Sequence, residues 1–199
     1  MSICHSSIFA LITCGGNSER MGNAKALLNY HGMPQYQWLL LLCKQLAMDA
    51  AISCKAAQRD WYETNTPILL DDENLGFTGP MLSLLSSMNQ TAEKPIFLLG
   101  CDYPLLNLHD IEHLINTFEK ENKTCAIYSE ETLKYEPVLA IYHPKDFKKL
   151  QEQYLKKEFS LQVYLHTIEA FKVYPKQAHT HKSFDTPEDF LNFRELRNA

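Results

Sequence analysis

The sequence predicts a three-layer α/β fold with a mostly parallel sheet. Apolar runs alternate with helical patterns along most of the 199 residues. Several runs are continuously apolar, as at residues 95–101, which is typical of parallel strands buried on both faces. The helical patterns between them are long enough to supply the crossover connections that parallel strands require. Ligands of such sheets bind at the carboxyl ends of the strands.

The first half of the chain carries four of the predicted strands. Pro34 opens the first helix, since its missing N–H is no loss in a first helical turn. Between the first strand and this helix, residues 26–30 form a short extended piece. The first four strands are placed at residues 8–12, 50–54, 67–70 and 95–101. The first three helices are placed at residues 34–47, 58–63 and 81–88.

The second half continues the alternation. Residues 108–121 form an amphipathic helix, because Ile111, Leu114, Ile115 and Phe118 fall on one face. The remaining strands are placed at residues 124–129, 138–142 and 170–174. The remaining helices are placed at residues 144–153 and 161–167, with a last helix opened by residues 185–189.

Length and composition indicate one domain spanning residues 1–199. The formal net charge of −5 disfavours general binding to nucleic acid or to anionic membranes. No secretion signal is expected, and the longest apolar run, residues 38–43, is too short to cross a bilayer. The six cysteines are scattered without a C-x-x-C pair, which favours reduced, packing thiols in a cytoplasmic protein and disfavours a zinc site.

A glycine-containing loop follows the first strand directly. Gly15-Gly16 is succeeded by Arg20 and Lys25, so two cations stand beside backbone that can approach an anion closely. The spacing matches neither of the common phosphate-binding glycine motifs, G-x-x-x-x-G-K-S/T and G-x-G-x-x-G. We expect this loop to bind the phosphates of a nucleotide, with Arg20 and Lys25 as catalytic cations.

Acidic residues follow two other predicted strands. Asp102 leaves the clearest buried strand at its carboxyl end and is the best candidate to hold Mg²⁺, which proteins bind through one or two carboxylates. Of the neighbours Asp71 and Asp72, the distance to Gly79-Pro80 favours Asp72. Cys14 and Cys101 flank these predicted site residues and are expected to pack rather than to act as catalysts.

Four motifs together resemble the molybdenum cofactor nucleotidyltransferases, and within them the MobA-like guanylyltransferases. The first reads G-G-x-S-x-R-M-G-x-x-K-A-L-L over residues 15–28 and is followed by Gly32-x-Pro34. The second is Asp72 with G-P-M-L at 79–82, and the third is C-D-Y-P at 101–104. The last is D-T-P-E-D at 185–189. The motifs span nearly the whole chain in the family's order.

The resemblance implies a Rossmann-like nucleotidyltransferase fold that binds GTP and Mg²⁺. It implies transfer of GMP to the phosphate of molybdopterin-bound molybdenum cofactor, with release of pyrophosphate. Lys25 would contact the phosphates, Ser53 and Asp72 would lie near the base and ribose, and Asp102 would hold the metal. The nucleotide-binding residues carried over are Thr13, Cys14, Gly15, Gly16, Lys25, Ser53, Asp72, Gly79 and Asp102. Expected partners are molybdenum cofactor biosynthesis proteins or acceptor apoenzymes.

The chain departs from the family pattern at positions expected near the nucleotide base and at the expected metal site. Thr13-Cys14 replaces Leu-Ala, Ala24 replaces an acidic residue, and Ser53 replaces an amide-bearing residue. The family commonly has an Asn or Asp at position 183, where it would be a second metal contact. This chain has Ser183 there. Two alternatives therefore stay open: a cytidylyltransferase or other small-molecule nucleotidyltransferase, and a nucleotide-binding protein without catalysis.

Overall fold

Seven strands form one sheet, in the order β3-β2-β1-β4-β6-β5-β7. The computed structural model describes residues 7–16, 24–91, 93–177 and 180–197. The strands are β1 (Phe9–Thr13), β2 (Asp49–Cys54), β3 (Ile68–Leu70), β4 (Ile96–Gly100), β5 (Cys125–Ser129), β6 (Lys134–Tyr142) and β7 (Phe171–Val173). Only β6 runs against the others within this sheet, because it pairs antiparallel with both β4 and β5. The sheet is therefore mostly parallel, as predicted.

Helices cover both faces of the sheet. They are α1 (Gln35–Gln45), α2 (Pro80–Met88), α3 (Leu108–Glu121), α4 (Phe147–Leu155), α5 (Leu161–Thr167) and α6 (Pro187–Arg197). The apolar faces of α1 and α3 pack against one side of the sheet, where Ile12 and Leu99 point. Those of α2, α4 and α5 pack against the other side, where Leu11 and Leu98 point. Successive side chains along each strand point to opposite faces, so the sheet has a separate apolar core on each face. The two helical layers and the sheet between them make the three layers.

The strand order reverses at β1. The chain builds outwards from β1 to β2 and β3 on one side, and then returns to place β4 on the other side. Thr13, the last residue of β1, is the register partner of Ser53 on β2 and of Gly100 on β4. Three strands therefore end together, and the crevice at such a reversal point is where parallel α/β sheets bind ligands.

The elements predicted from sequence are largely confirmed. The strand boundaries agree to within a residue or two except at β6, which begins four residues before the predicted start at residue 138. Residues 26–30 do not form an extended piece: Lys25–Leu27 is a 3-10 helix, and Asn29 makes an isolated bridge with Pro34. The helix predicted at residues 58–63 is the 3-10 helix Ala56–Trp61. Of the described helices, none has the length and apolar character that a membrane crossing requires.

A third, smaller cluster of aromatic side chains fixes the C-terminal segment. Phe184 is fully buried and packs with Tyr30 and Phe193, the latter on α6. Tyr30 lies at the centre of this cluster, with ring centroids 5.9 Å from Phe184 and 5.0 Å from both Phe190 and Phe193. These edge-to-face contacts hold residues 183–185 beside the carboxyl end of β4.

Candidate functional site

A cavity of about 570 Å³ opens at the carboxyl ends of β1 and β4. This volume lies within the range of small-ligand pockets. Its wall is built by the loops after β1, β3 and β4, the start of α2 and the C-terminal segment. Seven of the sequence-predicted site residues line the cavity: Thr13, Cys14, Gly15, Gly16, Lys25, Gly79 and Asp102. Arg20 lies outside the described residues.

One side of the cavity carries Asp71 rather than Asp72. The Asp71 amide donates to the Cys54 carbonyl at 2.9 Å, which continues the β2–β3 ladder by one residue and turns this buried side chain into the cavity. Asp72 is exposed and is absent from the cavity wall described here; its carboxylate accepts from the Asn74 amide at 3.1 Å, capping the next 3-10 turn. The described cavity wall therefore contains Asp71 and not Asp72, the residue that the sequence favoured.

Ser53 supports Asp71 from behind. Its hydroxyl donates to Asp71 Oδ1 at 2.5 Å, and the side chain is buried beneath the cavity rather than exposed on its wall. Burial raises the pKa of Asp71, while the hydrogen bonds from Ser53 and Ser83 act in the opposite direction. On its other side, Asp71 approaches the glycine loop so closely that a Cβ on Gly15 would lie 2.7 Å from Oδ2.

The opposite side of the cavity joins two carboxylates and a lysine. The Ser183 hydroxyl lies 3.1 Å from Asp102 Oδ2 and 3.0 Å from Asp185 Oδ2, so it can donate to either. Lys25 forms an ion pair with Asp185. Phe184 lies between Ser183 and Asp185 in the chain, and its amide donates to the Asp102 carbonyl at 2.8 Å. The aromatic cluster around Phe184 thus brings Ser183 and Asp185 to Asp102.

The surroundings shift the pKa values of Asp102 and Asp185 in opposite directions. Burial raises the pKa of Asp102, against the opposing charge of Lys25 and the Ser183 hydrogen bond. Burial also acts to raise the pKa of Asp185, but its hydrogen bond and ion pair with Lys25 outweigh burial and leave it below its usual value. The site therefore holds one carboxylate whose charge is poorly compensated in the free protein, and one whose charge is well compensated.

Comparison with known proteins decides the family. A sequence model described as "MobA-like NTP transferase domain" matches residues 10–168. The chain belongs to the MobA-like NTP transferase domain family. The enzyme is accordingly a nucleotidyltransferase.

Individual relatives of this MobA-like transferase match over most of their lengths. A molybdenum cofactor guanylyltransferase from Serratia proteamaculans is 26% identical over 96% of both chains. One from Shewanella sediminis is 29% identical, over 69% of this chain and 70% of its own length. The solved structure of molybdopterin-guanine dinucleotide biosynthesis protein A from Archaeoglobus fulgidus superimposes with a TM-score of 0.78 at 16% identity. That superposition covers 96% of this chain and 98% of the other, and it supports the Rossmann-like fold.

The carboxylates at the cavity of this MobA-like transferase suit a hard cation whose remaining ligands are water and substrate oxygens. Within the described ranges, no group of three or more His, Cys, Asp or Glu side chains is arranged to hold a metal ion. Mg²⁺ typically needs only one or two protein carboxylates, and completes its octahedron with water and substrate phosphates. Asp102 and Asp185 are linked through one hydroxyl and face the same cavity, so they fit that requirement.

The site residues predicted from sequence did not include Ser183 or Asp185, although Ser183 was noted at a position where the family commonly has a metal contact. Both belong to a segment that lies more than eighty residues after Asp102, and the ion pair between Lys25 and Asp185 spans 160 residues. The available signal was the D-T-P-E-D motif at residues 185–189. Its last carboxylate, Asp189, accepts from the Asp185 and Thr186 amides at 3.0 Å, so the motif also caps α6 and orients Asp185.

Gly15→Ala should destabilise the protein, and Gly16→Ala should not. The Cβ at position 15 would lie 2.7 Å from a carboxylate oxygen that Ser53 holds in place, whereas no described atom lies within 4 Å of one at position 16. We expect a loss of about 1–3 kcal/mol in the free energy of unfolding for Gly15→Ala. For Gly16→Ala we expect a change within about 0.5 kcal/mol. Urea denaturation of both variants measures this, and equal losses would contradict the close approach.

Asp102→Asn and Asp185→Asn should change thermal stability in opposite directions at pH 7. Because the folded pKa of Asp102 is raised, its stabilising contribution is present below its usual pKa and is lost as pH rises. The neutral Asn variant should therefore melt above wild type at pH 7, with the difference shrinking towards pH 4. Because the pKa of Asp185 is lowered, its contribution is present at neutral pH and is lost in acid.

Asp185→Asn should accordingly melt below wild type at pH 7, again with a smaller difference at pH 4. Half of the Asp185 side chain is exposed, so we expect its loss to stay below about 1 kcal/mol. Calorimetric melting of both variants from pH 4 to pH 7 gives the comparison. Shifts of the same sign at pH 7 would show that burial and the Lys25 ion pair do not separate the two carboxylates.

Proposed function

We propose that this enzyme transfers GMP from GTP to the phosphate of molybdopterin-bound molybdenum cofactor and releases pyrophosphate. The observation that carries the proposal is the layout of the cavity across β1. The glycine loop lies at the centre, Asp71 lies on the β3 side, and Asp102 with Lys25 lies on the β4 side. The relatives named as molybdenum cofactor guanylyltransferases support the same activity.

The triphosphate would lie between the glycine loop and Lys25. Gly15 and Gly16 line the cavity without side chains, so backbone amides can approach phosphate oxygens closely. Lys25 is held in the free protein by Asp185. A triphosphate carries more charge than this single carboxylate and can take over the lysine, so nucleotide binding would exchange one anionic partner for another.

The guanine base would lie on the side of Asp71. Guanine presents two adjacent donors, its N1–H and its 2-amino group, and one carboxylate can accept from both. Cytosine offers only its 4-amino donor on that edge. Ser53 fixes the Asp71 carboxylate at 2.5 Å, so its acceptors are already oriented for a base. This preference for paired donors favours GTP over CTP.

Mg²⁺ would be held by Asp102, with Asp185 close enough to contribute. When bound, the ion would neutralise charge on the phosphate oxygens and orient them. Asp102 is suited to receive it because its charge is incompletely compensated in the free protein, so a cation satisfies a carboxylate that burial has left costly.

The transfer itself needs positioning and charge neutralisation rather than a protein nucleophile. An oxygen of the acceptor phosphate attacks the α-phosphorus in line, and the bond to the bridging oxygen of the leaving pyrophosphate breaks. Lys25 stabilises negative charge on the transferring and leaving groups. Arg20, which follows Gly15-Gly16 in the sequence, is proposed to assist as a second cation.

Three further assignments belong to this proposal. Residues 1–199 act as one domain in the cytoplasm, where thiols are reduced in the absence of oxidative stress. The cofactor acceptor is delivered by proteins of molybdenum cofactor biosynthesis, and the product passes to acceptor apoenzymes. Neither nucleic acid nor a membrane takes part, in keeping with the acidic net charge of −5.

Titration calorimetry with GTP, CTP and ATP, each with Mg²⁺, tests the nucleotide. We expect GTP to bind at least about tenfold more tightly than CTP or ATP, since each extra base hydrogen bond to a charged group contributes about 1.5–3 kcal/mol. Asp71→Asn should lose most of this discrimination, while the neighbouring Asp72→Asn keeps it. Pyrophosphate release with GTP and molybdopterin-bound cofactor then tests the transfer. Tighter binding of CTP than of GTP would refute the guanylyl assignment.

Lys25→Ala should lower kcat/KM roughly a hundredfold or more, because it removes a fixed charge from the transferring phosphates. Lys94→Ala is the matched control. Lys94 also pairs with an aspartate, since its Nζ lies 2.9 Å from Asp49 Oδ2. However, Lys94 precedes β4 and therefore lies at the amino-terminal ends of the parallel strands, opposite the cavity. We expect less than a twofold kinetic change there. Similar losses in the two variants would indicate a general charge effect rather than a phosphate contact.

A further inference from the structure

Two thiols lie in contact at the reversal point of the sheet. Cys14 follows the last residue of β1, and Cys101 follows the last residue of β4. The preceding residues, Thr13 and Gly100, are register partners on adjacent parallel strands. The Sγ atoms are 3.3 Å apart. Both side chains are 5% exposed and line the cavity, so we name this pair the floor thiols.

The backbone of the floor thiols suits a disulfide. Adjacent strands are about 4.8 Å apart, which falls within the Cα separations of about 4.4–6.8 Å found in disulfides. Bond formation requires the sulfur atoms to move from 3.3 Å to about 2.05 Å. A movement of this size is within reach of residues that have just left their strands.

The other described cysteines differ from the floor thiols in access. Cys54 ends β2 on the far side of Cys14 and is fully buried. Cys43 belongs to α1 and packs into the core, and Cys125 lies in the same core beneath α3. An oxidant that enters the cavity therefore meets the floor thiols first.

We propose that the floor thiols are an oxidative modification site, at which a small peroxide closes a Cys14–Cys101 disulfide. One thiol takes an oxygen from hydrogen peroxide to form a sulfenic acid and one water. The second thiol attacks this sulfur, the S–O bond breaks, and a second water leaves. In total, two thiols and one peroxide give one disulfide and two waters, and the peroxide accepts the two electrons.

The disulfide would reshape the nucleotide site directly. Gly15 follows Cys14 and Asp102 follows Cys101, so drawing the sulfur atoms together also moves the glycine loop and the proposed metal carboxylate. Because burial raises the pKa of Cys14, its thiolate is scarce at neutral pH and the first step is slow. The loss of nucleotide binding rests on the proposed function, whereas formation of the disulfide does not.

Peptide mapping after treatment with excess hydrogen peroxide tests the bond. We expect the intact protein to lose the mass of two hydrogen atoms, with a linked peptide that joins Cys14 to Cys101 and separates on reduction with dithiothreitol. Cys54→Ser should behave as wild type, because its thiol is outside the pair. Cys14→Ala and Cys101→Ser should not form this linked peptide. A Cys14–Cys54 linkage, or no intramolecular linkage in wild type, would overturn the proposal.

Calorimetry with GTP and Mg²⁺, before and after peroxide, tests the consequence. Oxidised wild type should bind GTP about tenfold more weakly or worse, since a shift near 1 Å in a site has effects of this order. Dithiothreitol should restore the original affinity. Cys101→Ser should show the same affinity before and after treatment. An oxidised protein with unchanged affinity would overturn the regulatory effect, whereas a reduced protein that binds no GTP would refute the proposed function and leave the mapping result intact.

Discussion

The parallel pairing of β1 with β4 is the constraint on which the rest of the site depends. Because the two strands end in register, the glycine loop and Asp102 leave the sheet side by side although they are distant in sequence. The buried apolar side chains on both faces of these strands hold this register, since a slip by one residue would exchange the two cores. The geometry of the cavity is thus set by the packing of Leu11, Ile12, Leu98 and Leu99, none of which is among the residues that line it.

Charge at the cavity is balanced in a way that favours binding over stability. Burial makes the ionised form of Asp102 costly, and Lys25 is shared between offsetting that cost and pairing with Asp185. Binding of a nucleotide with a cation would compensate both charges, because the cation would neutralise Asp102 and the phosphates would pair with Lys25. The free protein therefore keeps a poorly compensated carboxylate where a ligand can compensate it, a common pattern in functional sites.

Sequence alone predicted the layers well and the site incompletely. Continuous apolar runs identify parallel strands because both faces are buried, and this held for β1 and β4. The start of β6 was missed because Lys134-Tyr135-Glu136-Pro137 is polar and contains a proline, features that normally mark a turn. The choice between Asp71 and Asp72 depended on whether the ladder continued by one residue, which no local pattern reveals. The approach of Asp185 to Lys25 is a long-range contact that only tertiary packing determines.

The aromatic cluster of Tyr30, Phe184 and Phe193 anchors the C-terminal segment through packing that is distinct from the two cores of the sheet. Ser183 and Asp185 are attached to the cavity through this cluster, through hydrogen bonds from Ser183 and the Phe184 amide to Asp102, and through the Lys25–Asp185 ion pair. Opening of residues 183–193 as a unit would remove two polar groups from the site while β1 and β4 remained folded. If the segment opens separately from the sheet, the Phe184 amide would report this opening in hydrogen exchange independently of global unfolding.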